Sequence, residues 1–198
     1  EVNPRDKATA KDLAVIYFNI GIEKYRKNDF AGAIEGLIKS LKIIPDDVEV
    51  MENLSMIYLK YGCKQYDDDD DVNGAIISFE QALEIFPKNI KAAENLSSIY
   101  TELGVSQANV NKNEESLESL KKAVKLNSKN ENAIKNLCIV YTKIGCESFK
   151  KGDIEKSIET SEAVLKINPK HKIAIQNLSM AYSEIGIKNY EKGSVKEA

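Results

Sequence analysis

Four asparagines hold one slot in a string that the chain writes repeatedly: Asn53, Asn95, Asn136 and Asn177, with Asp12 at that slot in the first copy. A side-chain amide offers both donor and acceptor, the set needed to bond an extended peptide backbone. Asn is also a poor helix-interior residue, costing up to about 0.7 kcal/mol against Ala, so its return at one helical position asks for a role. Two readings fit. Either the amides form a column that grips a bound peptide, or each Asn bonds the backbone or a polar side chain of an adjacent helix and holds the copies in register. One and two helical turns further on, the same face carries Met56 and Lys60, Ser98 and Glu102, Ile139 and Lys143, and Met180 and Glu184. These vary between copies where Asn does not. That suits a generic grip flanked by specificity positions, and it equally suits a solvated face.

Other chemistry is sparse. His171 is the only histidine, and it sits where other copies carry Asp46 or Asp47, Asn89 and Asn130, at the start of a helix. No Gly-rich phosphate loop follows a strand, and no CxxC pair is present for zinc. The run Asp67-Asp68-Asp69-Asp70-Asp71 lacks the alternation and closing Glu of a calcium loop. It reads as a solvated, mobile turn, or as a docking point for a basic partner. Cys138 and Cys146 lie eight apart on one expected helix, roughly 12 Å along its axis and too far to bridge. Cys63 and Cys146 share the slot after a repeated glycine, two copies apart. Reduced structural thiols and a cytoplasmic location are the expectation. The sequence points to no enzyme and to no cofactor or metal.

Composition narrows the partners. Among 198 residues, 28 basic and 31 acidic side chains leave a net charge of -3, no basic footprint for nucleic acid. No run of about 18 apolar residues exists, so no membrane insertion is expected.

The elements that would position the asparagines follow from the beat of the repeat. Gly21, Gly62, Gly104, Gly145 and Gly186 follow one another at 41, 42, 41 and 41 residues. Pro45, Pro87, Ser128 and Pro169 keep that beat, as do Ala33, Ala75, Ser116 and Ser157. Three independent markers at one period describe a repeat array. Each unit reads as two helices. The first carries apolar residues at helical spacing, such as Leu54, Ile57, Tyr58 and Tyr61, or Leu137, Val140, Tyr141 and Ile144. A polar turn follows at Lys27-Asn28-Asp29, Lys112-Asn113 and Lys151-Gly152-Asp153, with Asp29 and Asp153 placed to cap the next helix. The second helix carries Ala33, Ile34, Leu37 and Leu41 or their equivalents, and stops near the proline. That of the fourth unit is less regular, with Ser161 where others have Leu or Phe.

A helix pair with Gly-Asp at the turn, a small then a large apolar residue in its second helix, and a closing Pro resembles a tetratricopeptide repeat. The stretch from Lys151-Gly152-Asp153 through Asn168-Pro169 carries the likeness most closely. The resemblance implies an all-α, right-handed α-solenoid of antiparallel helix pairs, and a scaffold that binds a peptide or protein segment in the concave groove lined by the first helices. Those proteins use units of 34 residues; here the second helix and its exit keep standard length, so the extra seven fall in the first helix. The Leu-Gly signature fits either Leu54-Ser55 or Tyr61-Gly62, which leaves the end that was lengthened open. Asn-Leu-Ser and the 42-residue spacing also partially resemble kinesin light chain repeats, where the added length follows the second helix instead.

The units run over roughly 5–45, 46–87, 88–128, 129–169 and an incomplete 170–198, one array over residues 1–198. Glu1-Val2-Asn3-Pro4 echoes Lys166-Ile167-Asn168-Pro169, and Ser194-Val195-Lys196-Glu197 reads as a capping box. The expectation is an excerpt of a longer protein. Uncapped ends also raise self-association, and a substrate-recruiting arm of an enzyme whose catalytic domain lies elsewhere is a further alternative.

Overall fold

The computed structural model describes residues 4–191 and Gly193, and among them the chain forms nine α-helices and no strand. The echo at Glu1-Val2-Asn3 and the capping box at 194–197 lie outside the described residues. The helices are α1 (Pro4–Arg26), α2 (Phe30–Ile43), α3 (Val48–Asp67), α4 (Val72–Ile85), α5 (Ile90–Asn109), α6 (Asn113–Leu126), α7 (Glu131–Lys150), α8 (Ile154–Ile167) and α9 (Lys172–Glu191). Two lengths alternate: α3, α5, α7 and α9 have 20 residues, and α2, α4, α6 and α8 have 14. Six residues add about 9 Å of axis, so the lengthened first helix is a feature of the fold. Below, odd-numbered helices are called A helices and even-numbered ones B helices.

Each A-to-B turn passes through the left-handed region at one register position: Asn28 (φ 61°), Asp70 (51°), Asn111 (61°) and Gly152 (81°). Gly, Asn and Asp are the residues that tolerate this conformation. In the third unit the turn therefore centres on Asn111, one residue ahead of the Lys112-Asn113 expected from sequence. The next residue caps helix B. Asp29 accepts from Gly32 N at 2.9 Å, Asp71 from Gly74 N at 2.9 Å and Asp153 from Lys156 N at 3.1 Å, while Lys112 makes no such bond. The five-aspartate run thus contains a helix cap. Its Asp69 also pairs with Lys64 at 3.2 Å.

Within each pair the helices run antiparallel. Ser40 Oγ donates to Ala14 O at 2.9 Å, and Tyr25 meets Phe30 edge-on at 5.9 Å between ring centres. The repeated glycines mark where A and B touch. A Cβ at Gly62 would stand 2.8 Å from the Phe79 ring, and one at Gly104 would stand 2.6 Å from Leu120 Cγ. Phe79 and Leu120 are fully buried, so neither can move aside cheaply. Seven residues earlier, Ser55 and Ser97 are both buried, and Ser55 Oγ donates to Ala82 O of α4 at 2.7 Å.

Contacts divide the chain into two compact units, Glu1–Ile99 and Tyr100–Ala198, with the division inside α5. In the first, Ala33 and Leu37 of α2 pack with Val50, Leu54 and Ile57 of α3, and Phe18, Ile22 and Ile34 close the cluster. In the second, Leu120 packs with Leu137, Val140 and Ile144, while Cys138, Val164 and Ala174 form a further cluster. In the irregular α8 two buried hydroxyls bond the helix's own backbone, while Ser157 Oγ is buried with no partner among the described residues. Ser161 Oγ donates to Ser157 O at 2.7 Å and Thr160 Oγ1 to Lys156 O at 2.9 Å. The fold class is all-α, and each unit is built as an α-solenoid is, from consecutive packed helix pairs.

Candidate partner-binding face

Each A helix exposes the residue three positions after the asparagine slot. Lys60 lies about 140° around α3 from Ser55 at roughly 100° per residue, so it points away from the partner B helix. Met56 is 37% exposed, Ile139 52% and Met180 39%, and Lys60, Ser98 and Glu102 are also exposed. Val15 holds the same position in α1 and is 49% exposed. A large apolar side chain therefore stands in solvent at this slot in four A helices, with Ser98 in the fifth. Ser98 Oγ returns to Glu94 O at 3.1 Å. Lys143 Nζ reaches Asn111 Oδ1 at 2.8 Å, and Glu184 pairs with Lys188 at 3.4 Å.

The asparagines flank this position and fall into two kinds. Asn53 Nδ2 donates to Glu49 O at 2.8 Å and Asn136 Nδ2 to Asn132 O at 2.8 Å, each one turn back on its own helix. Asn95 Nδ2 instead reaches Cys63 Sγ at 3.3 Å, and Asn177 Nδ2 reaches Cys146 Sγ at 3.2 Å, both on the preceding A helix. The cause lies one unit upstream. The residue after the repeated glycine is Cys63 or Cys146 before the bridging asparagines, and Ile22 or Val105 before the other two. Isoleucine and valine offer no acceptor, so the amide turns back to its own backbone. Asn177 is 4% exposed, whereas Asn53, Asn95 and Asn136 are half-buried.

Burial, more than the charge of Asp67, pushes the Cys63 thiol up; Lys60 and the Asn95 bond pull the other way. Cys63 is thus a neutral thiol at neutral pH and a weak acceptor for Asn95. Burial also pushes Cys138 up, and all three cysteines are free. His171 sits at the start of α9 and its Nδ1 accepts from Ala174 N at 3.3 Å, the capping position that Asp47, Asn89 and Asn130 fill elsewhere. Among the described residues no three His, Cys, Asp or Glu side chains cluster as metal ligands, and no helix is long and apolar enough to cross a membrane.

Sequence reasoning had the asparagine slot and the shared slot of Cys63 and Cys146, but it did not join them. The signal was present as a spacing: Cys63 to Asn95 is 32 residues and Cys146 to Asn177 is 31, close to one repeat minus the offset between the two slots.

The family model for the tetratricopeptide repeat matches residues 95–130 and 140–171. Two of the chain's repeats thus match the tetratricopeptide repeat. Solved structures of this kind resemble the chain. A crystal structure of MamA protein is 26% identical over 94% of this chain and 90% of that one, with a TM-score of 0.32. A TPR repeats protein (BF2334) from Bacteroides fragilis is 14% identical over 87% of this chain and 99% of that one, with a TM-score of 0.49. The Arabidopsis OM64 TPR domain is 17% identical over 68% and 99%, with a TM-score of 0.29. No curated protein matches the sequence.

The matched stretches locate the extra turns of these tetratricopeptide repeats. The matches begin at residues 95 and 140, inside α5 and α7, which start at Ile90 and Glu131. The unmatched residues are the first turns of the A helix, so the lengthening is at its N-terminal end. The glycines agree, since Gly62 and Gly104 make the close approach to Phe79 and Leu120. Tyr61-Gly62 therefore holds the signature site. Tetratricopeptide repeats are protein-interaction scaffolds in general and are typically not catalytic.

Proposed function

We propose that the chain binds an extended or helical segment of a protein partner along the exposed face of its A helices. The observation that carries this reading is the series of solvent-exposed apolar residues, Met56, Ile139 and Met180, each set beside an asparagine. Exposed single apolar residues need no explanation, but their return at one repeat position beside an amide does. The Oδ1 atoms of Asn53 and Asn136 take no hydrogen bond among the described residues, so each presents an acceptor to an incoming backbone N–H. Lys60, Glu102, Lys143 and Glu184 supply charges of changing sign for selectivity. Asn95 and Asn177 take the second role, as register staples through Cys63 and Cys146.

The test begins with peptides selected by display on the full chain. Asn53→Ala with Asn136→Ala should weaken the selected peptide about tenfold, and Met56→Ser with Ile139→Ser by at least as much. Helicity should be unchanged. Equal affinity in both double variants would sink the proposal.

A further inference from the structure

The A helices repeat a tyrosine as well as an asparagine. Tyr17, Tyr58, Tyr100 and Tyr141 hold one register position in α1, α3, α5 and α7, at spacings of 41, 42 and 41 residues. Tyr182 continues the series in α9, after which no B helix is described. Three of the rings have a lysine of the chain itself over them. Lys39 Nζ stands 5.7 Å from the centre of the Tyr17 ring, Lys122 Nζ 5.2 Å from that of Tyr100 and Lys121 Nζ 5.5 Å from that of Tyr141. At such distances the ring quadrupole attracts an ammonium group. Among the described residues Tyr58 has no such cation.

The cause is in the B helices on either side of it. Six residues after Ala33 and Ser116 stand Lys39 and Lys122, and six after Ala75 stands Gln81. Lys121 lies on the B helix before its tyrosine, and α2 has Ile38 at that register. A third position reverses charge: Lys42, Lys125 and Lys166 share a register at which α4 has Glu84. Both flanking helices are present at Tyr58, so no missing neighbour accounts for the difference. Helices α2, α3 and α4 leave a groove of about 410 Å³, walled by Ile38, Leu41 and Ile85 and holding Tyr58, Gln81 and Glu84. Gln81 Nε2 donates to Glu84 Oε2 at 2.9 Å. Burial, and after it the charge of Glu84, push the Tyr58 hydroxyl up, so a neutral ring lies near a carboxylate. Lys42 also lines the groove, but it is exposed and pairs with neither group among the described residues.

We infer that this groove receives a lysine side chain of a protein partner, its alkyl stem against Ile38 and Ile85 and its ammonium between the Tyr58 ring and the Glu84 carboxylate. The chain makes this fit three times with its own lysines, and at Tyr58 it supplies ring and anion without the cation. Tyr58 is two residues on from Met56, about 200° round α3, so this site and the asparagine face fail separately.

The experiment titrates N-acetyl-lysine methylamide into the isotope-labelled full chain at neutral pH and constant ionic strength, and follows amide resonances by NMR. Saturable shifts are expected around Tyr58 and Glu84. N-acetyl-norleucine methylamide, which keeps the stem and lacks the ammonium, should bind at least about threefold more weakly. Glu84→Gln should weaken the lysine compound about threefold. Gln81→Lys, which restores the residue type that α2 and α6 have at this register, should fill the groove and abolish saturation. Circular dichroism should show both variants as helical as the unsubstituted chain. Absence of saturable shifts around Tyr58, equal binding of the two compounds, or unchanged affinity in either variant overturns the inference. So do shifts confined to the Asp67–Asp71 run, which would give the cation to that run instead.

Discussion

Asn136 and Asn177 occupy one slot on successive A helices of the same compact unit, with the same Leu following, yet one turns back on its own helix and the other crosses to its neighbour. The difference is not in the asparagines. It comes from Val105 and Cys146, one A helix upstream, and the pairing of Asn53 and Asn95 with Ile22 and Cys63 repeats it. A repeat position can thus keep its residue and change its work, because the partner that decides the work sits in the preceding unit. The comparison separates asparagines that bond their own helix from asparagines that bond the helix before.

The contrast is broken or sharpened most strongly by charge. Asn177→Asp would put a carboxylate at a site 4% exposed, with no donor replacing the lost bond, and should lower stability by about 3 kcal/mol. Asn136→Asp, half-buried on its own helix, should cost less than about 1 kcal/mol. Urea midpoints measure both; equal losses would erase the distinction. Truncation gives a smaller effect. Asn95→Ala and Asn177→Ala should each cost about 1 kcal/mol. Asn53→Ala and Asn136→Ala should fall within about 0.5 kcal/mol either way, the lost local bond being offset by better helix propensity.

The smallest effect concerns the acceptor. Because burial raises the Cys63 thiol in the folded chain, the unfolded chain ionises first. Stability from this group is therefore full below the ordinary thiol value of about 8.5 and is lost as pH rises through the folded value. The melting temperature should fall between about pH 7 and about pH 9.5, and Cys63→Ser should remove part of that fall. An unchanged slope in Cys63→Ser would show that the thiol beside Asn95 is not held neutral by its surroundings.

Much of the molecule was legible in the chain. The glycine beat, Ala33 with Leu37, and Asp29 with Asp153 fixed the helix pairs, their partners and their caps, since those depend on residues close in sequence. The Lys112-Asn113 turn was misplaced by one residue because Asn111 tolerates a positive φ as Gly152 does, and Asn in a polar string does not announce this. The lengthened helix was also legible, but its lengthened end was not. Leu54-Ser55 and Tyr61-Gly62 are seven residues apart and nearly in phase on a helix, and both small residues pack on the B helix. Only the close approach of Gly62 to Phe79, together with the span of the family match, separated them.

By itself, then, the sequence determined an all-α array of paired helices, the apolar face that joins them and the slots where polar residues return. Periodicity carries that much, because helix spacing and capping are local. Tertiary structure alone decided which asparagine bonds a thiol and which returns to its own backbone. Those outcomes depend on atoms one unit away, which repeat-level pattern does not encode.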